Sequence, residues 1–277
     1  MHVYHTVAEF RAARKPLVGT LGFVPTMGYL HAGHLDLVSR AAAANEQVAV
    51  SIFVNPTQFA AGEDLARYPR DTPRDLAMLE AAGVALVFAP PVAEIYPPGF
   101  SSFVDVGALA APLEGAARPG HFRGVATVVC KLLNIVQPQR IYLGQKDAQQ
   151  VAVIRRMVAD LDLPVAVTVC PTVRELDGLA LSSRNVYLGE AERTAAPVVS
   201  RALFAAESAY LGGERDAEAL RQIMRATLAE QPLAQPQYIS VADAETLAEL
   251  AAVDRPALLS LAVRFGATRL IDNVPIA

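Results

Sequence analysis

The chain has 277 residues, of which 53% are hydrophobic and 19% are charged, and its formal net charge at pH 7 is −4. This composition is typical of a well-packed globular enzyme and excludes disordered and fibrous proteins, while the length allows one large domain and a smaller one. Because the charge is acidic and no long basic run is present, we expect neither nucleic acid nor an anionic membrane as a partner.

The N-terminal half alternates short β-branched runs with helical patterns. The predicted strands cover residues 17–24, 48–54, 85–88, 140–143 and 164–170, and the predicted helices cover residues 33–44, 73–82, 124–136 and 148–160. Repeated strand and helix alternation predicts an α/β fold, a Rossmann-like doubly wound parallel sheet covered on both faces. The loops that follow the strands should then converge beyond the carboxyl edge of the sheet, where such folds bind ligands.

The pattern changes after about residue 174. One long Ala-rich helix is predicted over 190–210 and a second over 216–230, with strands at 238–241 and 257–264. These elements indicate a smaller α+β domain. We therefore predict a first domain of residues 1–174 and a C-terminal domain of residues 175–277.

The loop after the first predicted strand carries two histidines. His31 and His34 are three residues apart at a helix start, so both imidazoles lie on one face of the first turn. Orphan backbone N–H groups and the helix dipole favour an anion there, and Gly28 and Gly33 permit close approach of a ligand. Helix capping or metal binding is the alternative, with His121 the only other candidate zinc ligand outside the N-terminal tail.

Two later loops place polar side chains after predicted strands. Asn55 and Gln58 suit a polyol or a carboxylate, although an Asn-Pro turn satisfied by its own hydrogen bonds is an equal alternative. Lys146 is suited to neutralise phosphate charge. Asp147 is explained at least as well by capping of the next helix as by ligand contact.

A fourth segment, residues 171–185, joins the two predicted domains and carries Ser182, Ser183 and Arg184. Hydroxyls beside a guanidinium can hold triphosphate oxygens, although Ser-Ser-Arg alone is usually a solvated turn. Together the four loops offer donors without paired catalytic carboxylates or a Ser-His-Asp arrangement, which favours phosphate chemistry by positioning and charge stabilisation. The glycine spacing matches neither GxxxxGK[ST] nor GxGxxG, so nucleotidyl transfer fits better than an ordinary kinase or dehydrogenase.

These motifs closely resemble those of the pantothenate synthetase family. The family pattern PTMGxLHxGH is matched by residues 25–34 and the pattern SIFVNPTQF by residues 51–59. The likeness continues, in the same order and spacing, through residues 118–124, 144–150 and 171–185, and so covers nearly the whole chain. The two histidines alone also resemble the wider HIGH group of nucleotidyltransferases.

The resemblance implies an enzyme that joins pantoate to β-alanine at the expense of ATP, through a pantoyl adenylate. It implies His34 as proton donor, with His31, Lys146 and Arg184 as further catalytic residues. Pantoate and β-alanine contacts are implied for Gln58, Gln150 and Asn55. The implied ATP site comprises Pro25, Thr26, Met27, Gly28, Tyr29, Leu30, His31, Ala32, Gly33, His34, Gly144, Gln145, Lys146, Asp147, Val173, Leu181, Ser182, Ser183 and Arg184.

The resemblance further implies Mg²⁺ with ATP and a homodimer. The chain departs from the family where Arg74-Asp75 replaces two adjacent acids, so we expect Mg²⁺ chiefly on the nucleotide, with Asp75 as the one protein ligand considered for it. Leu143 and Gln145 stand where the family usually has FGEKD. Residues 118–124 are predicted to be a lid or, equally, a plain surface turn.

Two rival functions use the same histidine turn. One is an enzyme that leaves AMP on its product, and the other is a nucleotide sensor without turnover. The pair Gln58 and Gln150, which suits an organic acid, favours the ligase.

The remaining sequence features concern location. Cys130 and Cys170 lie in apolar stretches without metal-ligand spacing and are predicted to be buried, reduced thiols. The first 15 residues lack the apolar run of a signal peptide, and no run approaches the roughly 18 apolar residues of a membrane span. We therefore expect a cytoplasmic protein.

Overall fold

The computed structural model describes residues 1–60 and 62–277 of the chain. These residues form two compact units. The first comprises Met1–Gly144 and Gln150–Pro171, and the second comprises Gln145–Gln149 and Thr172–Ala277. The domain limits of 1–174 and 175–277 stay a prediction.

A sheet of six parallel strands organises the first unit, which confirms the predicted α/β class. The apolar side chains of its strands include Val24, Val50 and Val87, all 0% exposed, as expected for strands buried on both faces. The strands are β1 (His2–Tyr4), β2 (Leu21–Thr26), β3 (Gln47–Ile52), β4 (Leu86–Phe88), β5 (Arg140–Gly144) and β6 (Ala166–Cys170).

The strand order in space is β1-β4-β3-β2-β5-β6. The chain therefore moves outward from β2 through β3 to β4, and then returns to place β5 on the other side of β2. Ligands of doubly wound sheets bind beyond the carboxyl ends of the strands at such a reversal. The loop after β2, which carries the two histidines, begins at this point.

The helices that begin in residues 1–160 are α1 (Val7–Arg14), α2 (Ala32–Ala44), α3 (Thr72–Ala81), α4 (Val92–Ile95), α5 (Glu114–Ala117), α6 (His121–Val136) and α7 (Ala148–Asp160). Of these, α2, α3, α6 and α7 match predicted ones, with the bounds of α7 in agreement at both ends, whereas α1, α4 and α5 were not predicted. Helix α6 begins three residues earlier than predicted, and His121 and Phe122 in its first turn are buried. The alternative of a plain surface turn is therefore wrong for residues 121–124, and the alternative of a lid stays a prediction.

Near the N-terminus, one predicted boundary was misplaced and two elements were missed. Strand β2 begins only at Leu21, because Val18 is 87% exposed and Gly19 has a φ of 87°. Strand β1 and helix α1 were not predicted. Thr6 caps α1, and its side chain accepts a hydrogen bond from the Glu9 N–H.

The second unit packs helices against a three-stranded antiparallel sheet, in agreement with a smaller α+β unit. The single helix predicted over residues 190–210 is wrong, because Pro197 lacks the N–H that a continuous helix needs and the chain forms two helices instead. The elements are α8 (Glu190–Ala195), α9 (Val198–Leu211), α10 (Ala217–Ala229), β7 (Gln235–Asp243), β8 (Ala257–Phe265) and β9 (Thr268–Ile276).

Strand β9 was missed by the sequence analysis. It pairs with β8 through a tight turn in which Gly266 has a φ of 55°. Pro275 is accommodated because β9 is an edge strand of its sheet. This strand carries Asp272 and Asn273, both buried polar residues of the second unit.

Both cysteines carry free thiols, but only Cys170 is fully buried, so the predicted burial of Cys130 is only partly correct. Burial raises the pKa of each thiol. Among the residues described, no helix combines the length and the hydropathy needed to cross a bilayer.

Candidate functional site

The loop after β2 turns sharply before the helix. Thr26 donates its hydroxyl to the carbonyl of Ser51 at 2.7 Å and accepts the N–H of Gly28 at 3.2 Å. Gly28 and Tyr29 then adopt positive φ angles of 80° and 50°. Left-handed backbone is ordinary for glycine and uncommon for tyrosine, so this turn is held by its surroundings.

The two histidines stack and cap the start of α2. Their ring centroids lie 4.0 Å apart. Nδ1 of His34 accepts the His31 N–H at 3.3 Å, and Nδ1 of His31 accepts the Gly33 N–H at 3.2 Å. Since each Nδ1 accepts, the neutral form of each ring carries its proton on Nε2. The predicted capping role is therefore present, and it fixes Nε2–H as the donor of each neutral imidazole.

Several backbone N–H groups of this turn have partners within the protein. Besides those named above, the N–H groups of His34 and Leu35 both donate to the carbonyl of His31. These N–H groups are therefore not orphans, and the anion site at this turn stays a prediction. The imidazole donors of His31 and His34 are the groups of this turn best suited to phosphate.

Asp75 lies beneath the same turn. It is 1% exposed, and its two carboxylate oxygens accept the N–H groups of Tyr29 and Leu30, each at 2.7 Å. Among residues 1–60 and 62–277, no group of three or more His, Cys, Asp or Glu side chains is arranged to hold a metal ion. From the sequence, Asp75 was predicted only as a possible metal ligand, and its contact with this backbone was not foreseen.

Gln58 lies beside the histidine loop. Its Nε2 is 3.1 Å from the Met27 sulfur, and its Oε1 accepts a hydrogen bond from Asn55 Nδ2 at 3.0 Å. Asn55 is 1% exposed and also donates to the carbonyl of Gly124, while Tyr96 donates to its Oδ1. The structure thus gives Asn55 the contacts of a satisfied turn residue that orients Gln58.

The first turn of α6 holds the backbone of Gln58. The carbonyl of Gln58 accepts hydrogen bonds from His121 Nδ1 at 2.8 Å and from Arg118 at 3.2 Å. His121 Nε2 in turn accepts from Arg118 at 3.0 Å, and Arg118 pairs with Glu63. The sequence offered His121 as a candidate zinc ligand, whereas its two ring nitrogens are engaged with Gln58 and Arg118.

The environment of His121 keeps it neutral. Burial of the imidazole, and then the charge of Arg118, lower the pKa of His121 from 6.5 to about 4, although Glu63 and Glu114 act in the opposite direction. Proton uptake would also require a hydrogen on Nε2, which faces the guanidinium. The contact with Gln58 is therefore independent of pH near neutrality.

We expect this histidine to make the folded state sensitive to acid. Its folded pKa lies below the unfolded value, so its contribution to stability is full above pH 6.5 and is lost as the pH falls toward 4. The loss between pH 6.5 and pH 5 should be about 2 kcal/mol. Urea unfolding at pH 7 and pH 5 should show a smaller loss for His121→Asn, which retains a donor for Gln58, than for the parent chain. Equal losses would contradict the assignment.

In the second unit, the short helical turn Gln145–Asp147 is tied to β9. The side chain of Asn273 donates to the carbonyls of Gln145 and Lys146 at 3.0 and 2.8 Å and accepts from Gln145 Nε2 at 2.9 Å. The Lys146 side chain is 19% exposed, with Nζ 3.8 Å from Asp147. Asn273 thus fixes the backbone from which Lys146 extends. This role could not be predicted from the sequence, because strand β9 was not predicted.

The segment that contains Val173 and Leu181 forms a hairpin. The N–H of Leu181 donates to the carbonyl of Val173 at 3.0 Å. Arg174 forms a bidentate pair with Asp272 of β9, whose side chain is 3% exposed. Ser182 then caps a helical turn by accepting the Arg184 N–H at 3.3 Å.

The structure brings predicted residues together within each unit. In the first unit, Met27 and Gln58 are in contact, and His31 stacks on His34. Gln150 is half-buried near the start of α7. In the second unit, one pocket is lined by Lys146, Leu179, Ala180, Ser182, Asn185, Val199, Leu270, Ile271 and Asp272.

Comparison with known proteins gives one consistent result. Residues 2–275 match the model of the family described as pantoate-beta-alanine ligase. The pantothenate synthetase of Roseiflexus castenholzii is 65% identical over 99% of this chain and 98% of its own, and that of Gluconobacter oxydans is 55% identical over the whole of both chains.

Solved structures agree with these sequence matches. The pantothenate synthetase of Thermus thermophilus superposes with a TM-score of 0.94 at 53% identity, over 99% of both chains. The pantoate-beta-alanine ligase of Francisella tularensis, solved in complex with beta-gamma ATP and β-alanine, gives a TM-score of 0.82 at 36% identity over 99% of this chain and 97% of that one.

Proposed function

The chain belongs to the pantoate-beta-alanine ligase family and is a ligase of the pantothenate synthetase type, and from this we propose that it forms pantothenate through a pantoyl adenylate. The observation that carries the proposal is the pair of stacked imidazoles with Nε2–H donors at the start of α2, inside the family motif. The complex of the Francisella tularensis relative supports ATP and β-alanine as ligands of this chain.

The chemistry requires activation of a carboxylate, which is a poor electrophile. A pantoate carboxylate oxygen attacks the α-phosphorus of ATP, and the bond from that phosphorus to the bridging oxygen breaks to release pyrophosphate. The β-alanine nitrogen then attacks the acyl carbon of the mixed anhydride and loses a proton, and AMP leaves with the electron pair of the acyl–oxygen bond. The product is an amide.

We assign the phosphate donors to four side chains. His34 donates from Nε2 to the phosphate chain and acts as the proton donor that the family assigns to this position. His31 provides a second Nε2–H donor. Lys146 and Arg184 offset charge that develops on the phosphates as pyrophosphate departs. The remaining ATP contacts are proposed for residues 25–34, 144–147, 173 and 181–184.

Pantoate recognition is assigned chiefly to amides. Gln58 offers its Nε2, now against the Met27 sulfur, which is a weak acceptor that a substrate oxygen would replace with gain. Asn55 orients Gln58 through its Oε1, so we propose for Asn55 an indirect part in binding pantoate or β-alanine. Gln150 is proposed as the second amide.

We propose that Mg²⁺ binds together with the nucleotide. Both oxygens of Asp75 accept backbone N–H groups, so this carboxylate does not fit a metal ligand. Bound together with ATP, Mg²⁺ would offset part of the phosphate charge. A cytoplasmic homodimer is proposed on the family resemblance alone.

Exchange of labelled pyrophosphate into ATP tests the proposed function. We expect exchange by the purified protein when pantoate is present and β-alanine is absent, because adenylate formation is reversible. Exchange that does not need pantoate would contradict the proposal. Free AMP should accumulate only after an amine is added, whereas an enzyme that leaves AMP on its product would release none, and a nucleotide sensor would bind ATP without exchange.

A further inference from the structure

The carboxylate of Asp75 has no role in the proposed reaction, yet it makes two hydrogen bonds to the histidine turn. It belongs to the first turn of α3, whose N-cap Asp71 accepts the Arg74 N–H at 3.2 Å. The Asp75 side chain is buried, and its oxygens accept two consecutive backbone N–H groups, those of Tyr29 and Leu30. A buried carboxylate needs such donors, and here one turn supplies a donor to each oxygen.

The backbone held in this way has a conformation that does not form readily on its own. Tyr29 has a φ of 50°, in the left-handed region that residues with a Cβ atom disfavour. Gly28 precedes it at a φ of 80°, and a Cβ on Gly28 would lie 3.0 Å from Asp75 Oδ2. Glycine therefore allows the carboxylate to sit directly against the turn.

The turn leads at once into the histidines. His31 follows Leu30, caps α2 and stacks on His34, so a rotation of the backbone at Tyr29 and Leu30 would displace both rings. Donors stabilise developing charge best at about 2.7 to 3.1 Å from the phosphate oxygens, so even a small displacement of the rings weakens them. The carboxylate, although negative, thus supports an anion site by fixing its geometry.

We propose that Asp75 is a positioning residue for ATP, whose buried carboxylate holds the left-handed turn at Gly28–Leu30 and so aligns His31 and His34 with the phosphates. This inference rests on the proposed function. It assigns Asp75 a role through its contact with the backbone of Tyr29 and Leu30, and not through metal binding.

The substitution Asp75→Asn tests the proposal with little change in size. Asparagine can accept one N–H group, but its amide nitrogen would face the other. We expect kcat/KM for ATP in pyrophosphate exchange to fall about 10- to 100-fold, since a hydrogen bond to a charged group is lost. The larger part should be a rise in KM for ATP, with KM for pantoate changed less than threefold. Were the charge of Asp75 important only through repulsion of phosphate, ATP would bind more tightly to this variant.

A second measurement does not depend on turnover. Amide hydrogen exchange of a peptide that covers residues 27–31, followed by mass spectrometry on the nucleotide-free protein, should be faster in Asp75→Asn. The matched control is Asp71→Ala, which removes the cap of the same helix and leaves the two bonds from Asp75 to the turn in place. This control should keep slow exchange at residues 27–31 and a normal KM for ATP.

The outcomes separate this inference from the proposed function. If the parent chain exchanges pyrophosphate and Asp75→Asn has an unchanged KM for ATP with slow amide exchange, Asp75 is not a positioning residue and the ligase assignment stands. If the parent chain itself does not exchange pyrophosphate in the presence of pantoate, the proposed function fails. If both variants lose activity in equal measure with equal amide exchange, the effect is one of helix stability and the inference is wrong.

Discussion

Replacing His34 with glutamine should lower pantoate-dependent pyrophosphate exchange by about 100- to 10,000-fold, the range that general acid catalysis contributes. Glutamine at the third position of a helix can reach back to the N-cap N–H, as His34 Nδ1 now does at 3.3 Å. The substitution therefore keeps the cap of α2 and removes the imidazole. The melting temperature should stay close to that of the parent chain.

The variant His34→Ala separates catalysis from capping. It removes both the imidazole and the acceptor for the His31 N–H, so it should lose the same activity and about 1 kcal/mol of stability in addition. His2→Ala, at an exposed position on β1, is the control and should retain full exchange. Near-normal exchange by His34→Gln would show that hydrogen-bond donation by an amide suffices and that His34 transfers no proton.

The fold was predictable from the sequence where local pattern and tertiary packing agree. Helix α7 was predicted with its observed bounds, Ala148–Asp160, because its apolar period is regular and predicted strands flank it on both sides. The helix over 190–210 failed because an Ala-rich pattern outweighed Pro197, which cannot donate to a helical carbonyl. Strand β9 was missed because Pro275 and the polar pair at Asp272 and Asn273 hide its alternation.

The site was predictable as a set of loops and not as a set of contacts. Motif spacing identified the histidine turn and the loop of Lys146, since both follow buried strands. The roles of three residues depend on hydrogen bonds to neighbours distant in sequence. Asp75 bonds to Tyr29, His121 to Gln58 and Asn273 to Lys146. For Asp75, the sequence signal was an acid near the start of a predicted helix. Residues that hold a catalytic loop thus escape a motif search even when the loop itself is found.

Lys146→Ala should slow adenylate formation by about 100- to 1,000-fold, equivalent to roughly 3 to 4 kcal/mol of transition-state stabilisation. The ammonium group offsets charge that grows on departing pyrophosphate, and the loss should therefore appear in kcat as well as in KM for ATP. The fold should survive, because Asn273 holds the backbone carbonyls of Gln145 and Lys146 and does not touch the lysine side chain through these bonds.

The second half-reaction provides the decisive comparison for Lys146. No pyrophosphate leaves when β-alanine attacks the adenylate, so Lys146→Ala supplied with preformed pantoyl adenylate should make pantothenate within about tenfold of the parent rate. Lys146→Arg keeps the charge in a different geometry and should recover part of the exchange activity. Lys15→Ala, at the exposed end of α1, is the control for loss of an ammonium group. Equal losses in both half-reactions would place Lys146 on a group common to both steps, such as the α-phosphate, rather than on the leaving pyrophosphate.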